Sequence, residues 1–245
     1  MQIYQITKIG EYHFDFCEDY AFSKRFSDNK LLCAVMDGCT MGEESYFAST
    51  LLGKIIKKII KERDYKEFFG EITKNISLKK EMKEILFEVF TSLQNIKNAL
   101  LLEKNELLTT LVLFLMDINT KKGIIIVVGD ATIAINGKII RFEQDNQPDY
   151  LIYHLGENFE EWFLRQKQII EIENCQDVSI STDGIDSFQK TDLTENLEQL
   201  DIPAYLLNDK TFLDKKEMLN IKVKSLENNY LLKATDDLGI IRVVL

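Results

Sequence analysis

The sequence predicts an α+β fold, antiparallel strands layered against helices in one domain, and three observations carry that expectation. Continuous apolar runs such as LLCAVM at 31–36 and GIIIVV at 123–128 are the mark of strands covered on both faces. Asn136-Gly137 lies between ATIAI and KIIRF, and Asn-Gly is the preferred type I′ pair, so these two runs form a tight antiparallel hairpin. Two helical patterns stand together between the early and middle strands instead of alternating with single strands, which argues against a βαβ series.

The elements follow in order. Strands are expected at 2–7, 19–25 and 30–36 from their β-branched and apolar content. A helix is expected over 43–63, where Phe47, Leu51, Leu52, Ile55, Ile56, Ile59 and Ile60 recur at three- and four-residue steps. Lys54, Lys57, Lys58 and Lys61 fill its other face, read as solvated. A second helix fits 79–102, with a stripe from Met82 through Ile85, Val89 and Leu93 to Leu100. Strands then follow at 108–117, 123–129, 131–135 and 138–142. The mixed stretch 143–177, with Pro148 and Trp162, is expected to be an excursion from the sheet, a flap with a short helix near 158–166. Strands at 178–182 and 239–245 close the chain. No linker or repeat divides its 245 residues.

Composition excludes several chemistries. With only His13 and His154 there is no three-histidine zinc site and no HExxH. The 11 glycines approach no closer than Gly38 and Gly42, which forbids GxGxxG, and no Walker A loop or GxSxG elbow is present. Metal chemistry would have to use the 40 Asp and Glu, which suit Mg²⁺, Mn²⁺ or Ca²⁺. A net charge of −10 offers no field for nucleic acid. Four cysteines without CxxC spacing, an N-terminus unlike a signal peptide and no membrane-length apolar run lead to an expected cytoplasmic, membrane-free location.

One pattern recurs. Hydrophobic strands run into acids at Asp37-Gly38, Asp130, Asp183-Gly184 and Asp236-Asp237, and the pair Glu18-Asp19 opens the strand YAFSKRF. A single Asp-Gly after a strand is an ordinary turn. Five such places on separate strands suggest convergence at one sheet edge. Gathered carboxylates repel one another and are costly to desolvate unless divalent cations share the site, and two such ions form the usual clamp for phosphoester hydrolysis.

These residues, in this order, resemble the metal-dependent type 2C serine/threonine protein phosphatases of bacterial type. The resemblance rests on Glu18-Asp19-Tyr-Ala, AVMDGCTMGEESYFAST, LLTTLVLFLMD with IIIVVGDATIAI, SISTDGIDSF and TDDLGIIRVVL, and spans about residues 5–245. It implies a four-layer α/β/β/α sandwich with two central antiparallel sheets and the metals at one end. It implies two Mg²⁺ or Mn²⁺ ions, with a third in bacterial members, and attack on phosphoserine or phosphothreonine by a metal-bridged hydroxide. Asp37 matches the carboxylate between the two ions, and the Gly38 carbonyl matches a ligand of one. Asp183 and Asp236 match ligands of the other, Glu18 and Asp19 the acidic pair, and Asp130 the third-metal residue. Asp37 and Asp183 are those on which catalysis is expected to depend.

Five departures accompany the match. Cys39-Thr40-Met41 stands where bacterial members usually carry Met-Gly-Gly, and Cys39 where some carry histidine. Leu108 replaces a common glycine, Asp237 stands where Asn is frequent, and no Arg precedes Glu18, leaving Lys8 as a substitute for gripping phosphate. No role is expected of His13, His154 or Asp186. The expected partner is a phosphorylated protein, with no nucleic acid and no membrane, and the expected state is a monomer. Two other readings stand beside this one: a catalytically weak or inactive binding module on the same fold, and a hydrolase of small phosphoesters.

Overall fold

The structure, a computed structural model, describes residues 1–70, 76–144, 148–190 and 200–245. The strands run in chain order as β1 (Gln2–Lys8), β2 (Tyr20–Phe26), β3 (Lys30–Met36), β4 (Leu111–Asp117), β5 (Lys122–Val128), β6 (Ala131–Ile135), β7 (Lys138–Phe142), β8 (Ile169–Ile172), β9 (Asp177–Ser181), β10 (Phe188–Lys190), β11 (Leu232–Ala234) and β12 (Leu238–Val244). The helices are α1 (Ser45–Phe68), α2 (Leu78–Leu100), α3 (Phe159–Arg165), α4 (Ile202–Leu207) and α5 (Met218–Asn229). One five-stranded sheet has the order β1-β12-β9-β6-β7 and the other β2-β3-β4-β5-β8. Every neighbouring pair in both is antiparallel.

The two sheets face each other, which explains the continuous apolar strands. Along β3, Leu31, Cys33 and Val35 enter the core between the sheets, while Leu32, Ala34 and Met36 pack under α1 and α2. Side chains alternate faces along a strand, so a strand buried on both must be apolar at every position. The other sheet does the same with α4 and α5: Tyr4, Ile6, Leu238 and Ile240 meet Leu206, Leu219, Val223 and Leu226. The result is the four-layer α/β/β/α sandwich. The hairpin at Asn136-Gly137 is formed as expected, both residues having positive φ (50° and 91°) between Ile135 and Lys138, which pair.

Two expectations are corrected. The stretch 143–177 carries the short helix expected near 158–166, as α3, but its described part packs down and is not a flap: Phe159, Trp162 and Phe163 join the α1–α2 core, with the Trp162 ring tilted 49° to that of Phe90 at 4.5 Å between centroids. The chain then returns as β8, the edge partner of β5. The strand expected from 108 begins at Leu111, because Leu108, Thr109 and Thr110 leave the ladder to hold the loop after β3. The helices α4 and α5 were not expected at all. A buried lysine, Lys222, interrupts the apolar face of α5, its Nζ donating to the carbonyls of Tyr205 and Asp209 at 2.7 and 2.6 Å. Among the described residues, no helix is long and apolar enough to cross a membrane.

Candidate active site

Register places the acids. Tyr20 pairs with Met36, so Asp19, just before β2, and Asp37, just after β3, fall opposite each other at one end of their sheet. In the other sheet Ile240 pairs with Ser181, so Asp183 after β9 meets Asp236 and Asp237 before β12. Asp130 lies where the chain crosses from β5 in one sheet to β6 in the other. The two sheet ends are tied by Thr182, whose Oγ1 donates to Asp19 Oδ2 at 2.7 Å and accepts from Gly239 N at 2.9 Å.

The backbone around Asp37 is held by the Thr-Thr pair. The Asp37 carbonyl accepts from Thr109 Oγ1 at 2.8 Å and from Thr110 N at 2.9 Å, and Asp37 N donates to Thr110 Oγ1 at 3.1 Å. Gly38 bridges Thr109, and its N–H donates to the Glu18 carbonyl at 3.2 Å. A β-carbon at Gly38 would stand 2.1 Å from the Ser45 carbonyl oxygen, so only glycine fits. The Glu18 carboxylate turns toward the following loop, where Thr40 Oγ1 donates to it at 2.9 Å and Ser45 Oγ also donates.

Electrostatics reinforce the convergence. Burial pushes the Asp19 carboxyl well above the usual carboxylate range, with Asp237 and Asp183 adding to the shift against the opposing Thr182 hydrogen bond. Burial and then the charges of Asp19, Asp183 and Asp236 push Asp37 the same way. Asp183 is exposed to water on its outer side, yet surrounding protein, then Asp236 and Asp130, push it up to about 6. Acids that raise one another in this manner share one field.

Glu18, Asp19, Asp37, Gly38, Asp130, Asp183 and Asp236 therefore gather at one end of the sandwich, Asp236 at its rim with a side chain 47% exposed. Among the described residues, no three acidic, histidine or cysteine side chains stand ready-made around a single metal position. The donor set nonetheless suits a hard cation, since Mg²⁺ keeps several waters and takes only one or two carboxylates. One atom fits directly: Asp19 Oδ1 is buried and meets no N–H or hydroxyl donor, and the Asp19 carboxyl stands against that of Asp37. A buried carboxylate oxygen left in that state is costly unless a proton or a cation meets it.

Sequence reasoning missed a clasp beside these acids. Asp237, 1% exposed, accepts from Gly10 N at 2.7 Å and from Glu18 N. His13 brings Nδ1 within 3.0 Å of Asp237 and Nε2 within 3.6 Å of Asp236. Asp237 thereby pins residues 10–18 over the site. The only clue in the sequence was that two acids, not one, precede β12. Asp237→Ala leaves the buried Gly10 N–H and the half-buried Glu18 N–H without acceptors, so a loss of about 1–3 kcal/mol is expected in chemical denaturation. Lys8, proposed as a phosphate grip, instead pairs with Glu227 of α5. Asp186 accepts from Thr132 Oγ1 at 3.1 Å and pairs with Arg141 at 3.2 Å, a structural tie. Tyr150, also missed, lies beside Cys39 and Asp37. Burial, then the Cys39 thiol and the Asp37 charge, push its phenol up, so it stays protonated.

The likeness to known proteins agrees with this geometry. The family described as protein phosphatase 2C matches residues 12–214. Among curated proteins, none is significantly similar to this chain. Among solved structures, the S. agalactiae serine/threonine phosphatase is 16% identical with a TM-score of 0.61, covering 100% of this chain and 99% of its own. RsbX, in complex with magnesium, is 16% identical with a TM-score of 0.53, covering 98% of this chain and 92% of its own. The PP2C phosphatase domain of SpoIIE from Bacillus subtilis, with a fragment of its regulatory domain, is 14% identical with a TM-score of 0.58. That match covers 98% of this chain, which spans only 62% of the SpoIIE chain. Identities this low establish the fold, and the family match extends over most of the chain: it belongs to the protein phosphatase 2C family.

Proposed function

We propose that this chain is a Mg²⁺- or Mn²⁺-dependent phosphatase of phosphoserine and phosphothreonine in proteins. The observation that carries the reading is the field shared by Asp19, Asp37, Asp183 and Asp236 around the buried Asp19 Oδ1. Glu18, Asp19, Asp37, the Gly38 carbonyl, Asp183 and Asp236 would hold two ions, and Asp130 would help hold a third. Bound divalent cations would make a water acidic enough to attack phosphorus near neutral pH and offset charge on the phosphoryl oxygens. The protein's own part is to hold the acids in place. Asp37 feels both Asp19 and the Asp183–Asp236 side, so it is the residue that would join the two halves. Thr109 and Thr110 fix its backbone, and Thr182 holds Asp19.

The four cysteines are free, which suits a reducing cytoplasm, and a net charge of −10 suits neither nucleic acid nor anionic lipid. We take the working unit to be a monomer. Hydrolysis of an aryl phosphate and of a phosphothreonine peptide should appear with Mn²⁺ or Mg²⁺ and vanish with a chelator. Absence of turnover with either metal would overturn the reading in favour of a binding module.

A further inference from the structure

Beside Glu18 the surface opens into a cleft of about 340 Å³ between residues 12–18 and the loop that enters α1. Its walls carry Tyr12, Phe14, Phe16 and Tyr46, with Phe16 stacked on Tyr46 at 4.4 Å. Tyr12, Phe14 and Phe16 are 66%, 88% and 58% exposed, and Met41 on the facing loop is 89% exposed. Four large apolar side chains left in water at the mouth of one site are not needed for the core, which is complete without them. A concentration of this kind marks a contact surface. The same cleft is acidic: Asp15, Glu18 and Glu44 line it. Aromatic rings bind side chains with little loss of conformational freedom, and like charges across a contact are strongly disfavoured.

We propose that this cleft docks the residues flanking the phosphorylated side chain of the substrate protein, and that it selects flanks carrying an aromatic or branched apolar residue together with Lys or Arg. The proposal rests on the phosphatase reading, since the phosphate is what would seat the segment at the adjoining acids. Charge complementarity decides the occupant: an acidic flank would face Asp15 and Glu44, the two cleft carboxylates not assigned to metal, whereas a basic one would pair with them. The volume has room for one or two side chains, not for a folded domain.

The test uses two phosphothreonine peptides, one flanked by Phe and Lys and one by Gly and Glu, with an aryl phosphate as a substrate lacking flanks. Wild-type protein with Mn²⁺ should favour the Phe/Lys peptide by about tenfold or more in kcat/KM. The variant carrying Y12A and F14A, both at exposed positions, should lose that preference while aryl phosphate turnover stays within about twofold. A wild type with no preference, or a double variant that keeps it, overturns the proposal. If none of the three substrates is hydrolysed, the phosphatase reading falls, and the cleft is judged by fluorescence anisotropy with the unphosphorylated peptides. Tighter binding of the Phe/Lys peptide that Y12A/F14A abolishes supports the cleft, and equal binding overturns it. A concentration-dependent dimer that Y12A/F14A dissolves would assign the aromatics to a second copy of this chain and overturn the peptide assignment.

Discussion

Asp37→Asn is expected to lower metal-dependent phosphate release by about 10³-fold or more while raising the melting temperature of the metal-free protein by about 2–5 °C. The two effects share one cause. Burial and the charges of Asp19, Asp183 and Asp236 all disfavour ionised Asp37, so the native state carries a repulsion that the unfolded chain escapes. Asparagine removes one of those charges and keeps the shape, relieving the repulsion but weakening any hold on a divalent cation. The sign of the pH dependence follows. An acid whose pKa rises on folding keeps its proton where the unfolded chain has already released it, so stability falls as pH rises through that interval. For Asp183 the interval runs from the ordinary 3.8 to about 6, and Asp19 and Asp37 extend it upward. His13, whose pKa is raised although burial opposes the nearby acids, adds stability at low pH that is lost above its raised value. Asp209, lowered to about 2, acts in the opposite direction, but only below pH 3.8. The metal-free wild type should therefore melt higher at pH 5 than at pH 8, and Mn²⁺ should restore stability at pH 8. Asp37→Asn should show a smaller pH slope and a smaller Mn²⁺ shift. A metal-free wild type that melts equally at both pH values, or an Asp37→Asn variant as active as wild type, would contradict the account.

What could be read from the sequence and what could not divides along physical lines. The central strands were legible because both their faces are buried: Leu31 to Met36 had no polar position to blur the run. The acids were legible because each interrupts such a run, and an acid at the edge of a core has few bland explanations when it recurs. The layer of α4 and α5 was not legible, because its contact with the sheet is built partly from charge. Arg242, fully buried on β12, donates to Asp177 and to the carbonyls of Asn208 and Asp209, and Lys222 is buried in the same layer. Hydrophobic periodicity reads such positions as solvent-facing. β8 was missed because four residues, IIEI, at a sheet edge give too short an alternation to stand out. The clasp of His13 and Asp237 joins residues more than two hundred positions apart, and nothing local in either segment encodes the meeting.

Gly184→Ala should be as damaging as losing an acid, although glycine carries no chemistry. The β-carbon of alanine at this position would lie 1.7 Å from the Asp237 carbonyl oxygen and 2.8 Å from its carbonyl carbon. Both obstacles are backbone, so no side-chain rotation relieves the clash, and one of the two segments must move by about 1 Å or more. Those segments carry Asp183 on one side and Asp236 with Asp237 on the other. Displacing them parts two acids of the shared field and pulls on the N–H groups of Gly10 and Glu18 that Asp237 accepts. A misplacement of about 1 Å in a catalytic arrangement costs about 10²-fold in rate, and overpacking of this kind costs about 1–3 kcal/mol or more in stability. Gly156→Ala is the control, since its β-carbon would meet nothing within 4 Å. The expected result is a Gly184→Ala protein that is folded by circular dichroism but melts lower, with kcat/KM down about 10²-fold and Mn²⁺ affinity weakened in calorimetry, beside a Gly156→Ala protein like wild type. If Gly184→Ala binds Mn²⁺ and turns over like wild type, the two strand ends do not jointly set the site. Asp183 and Asp236 would then have to act independently, which the influence of Asp236 on Asp183 argues against.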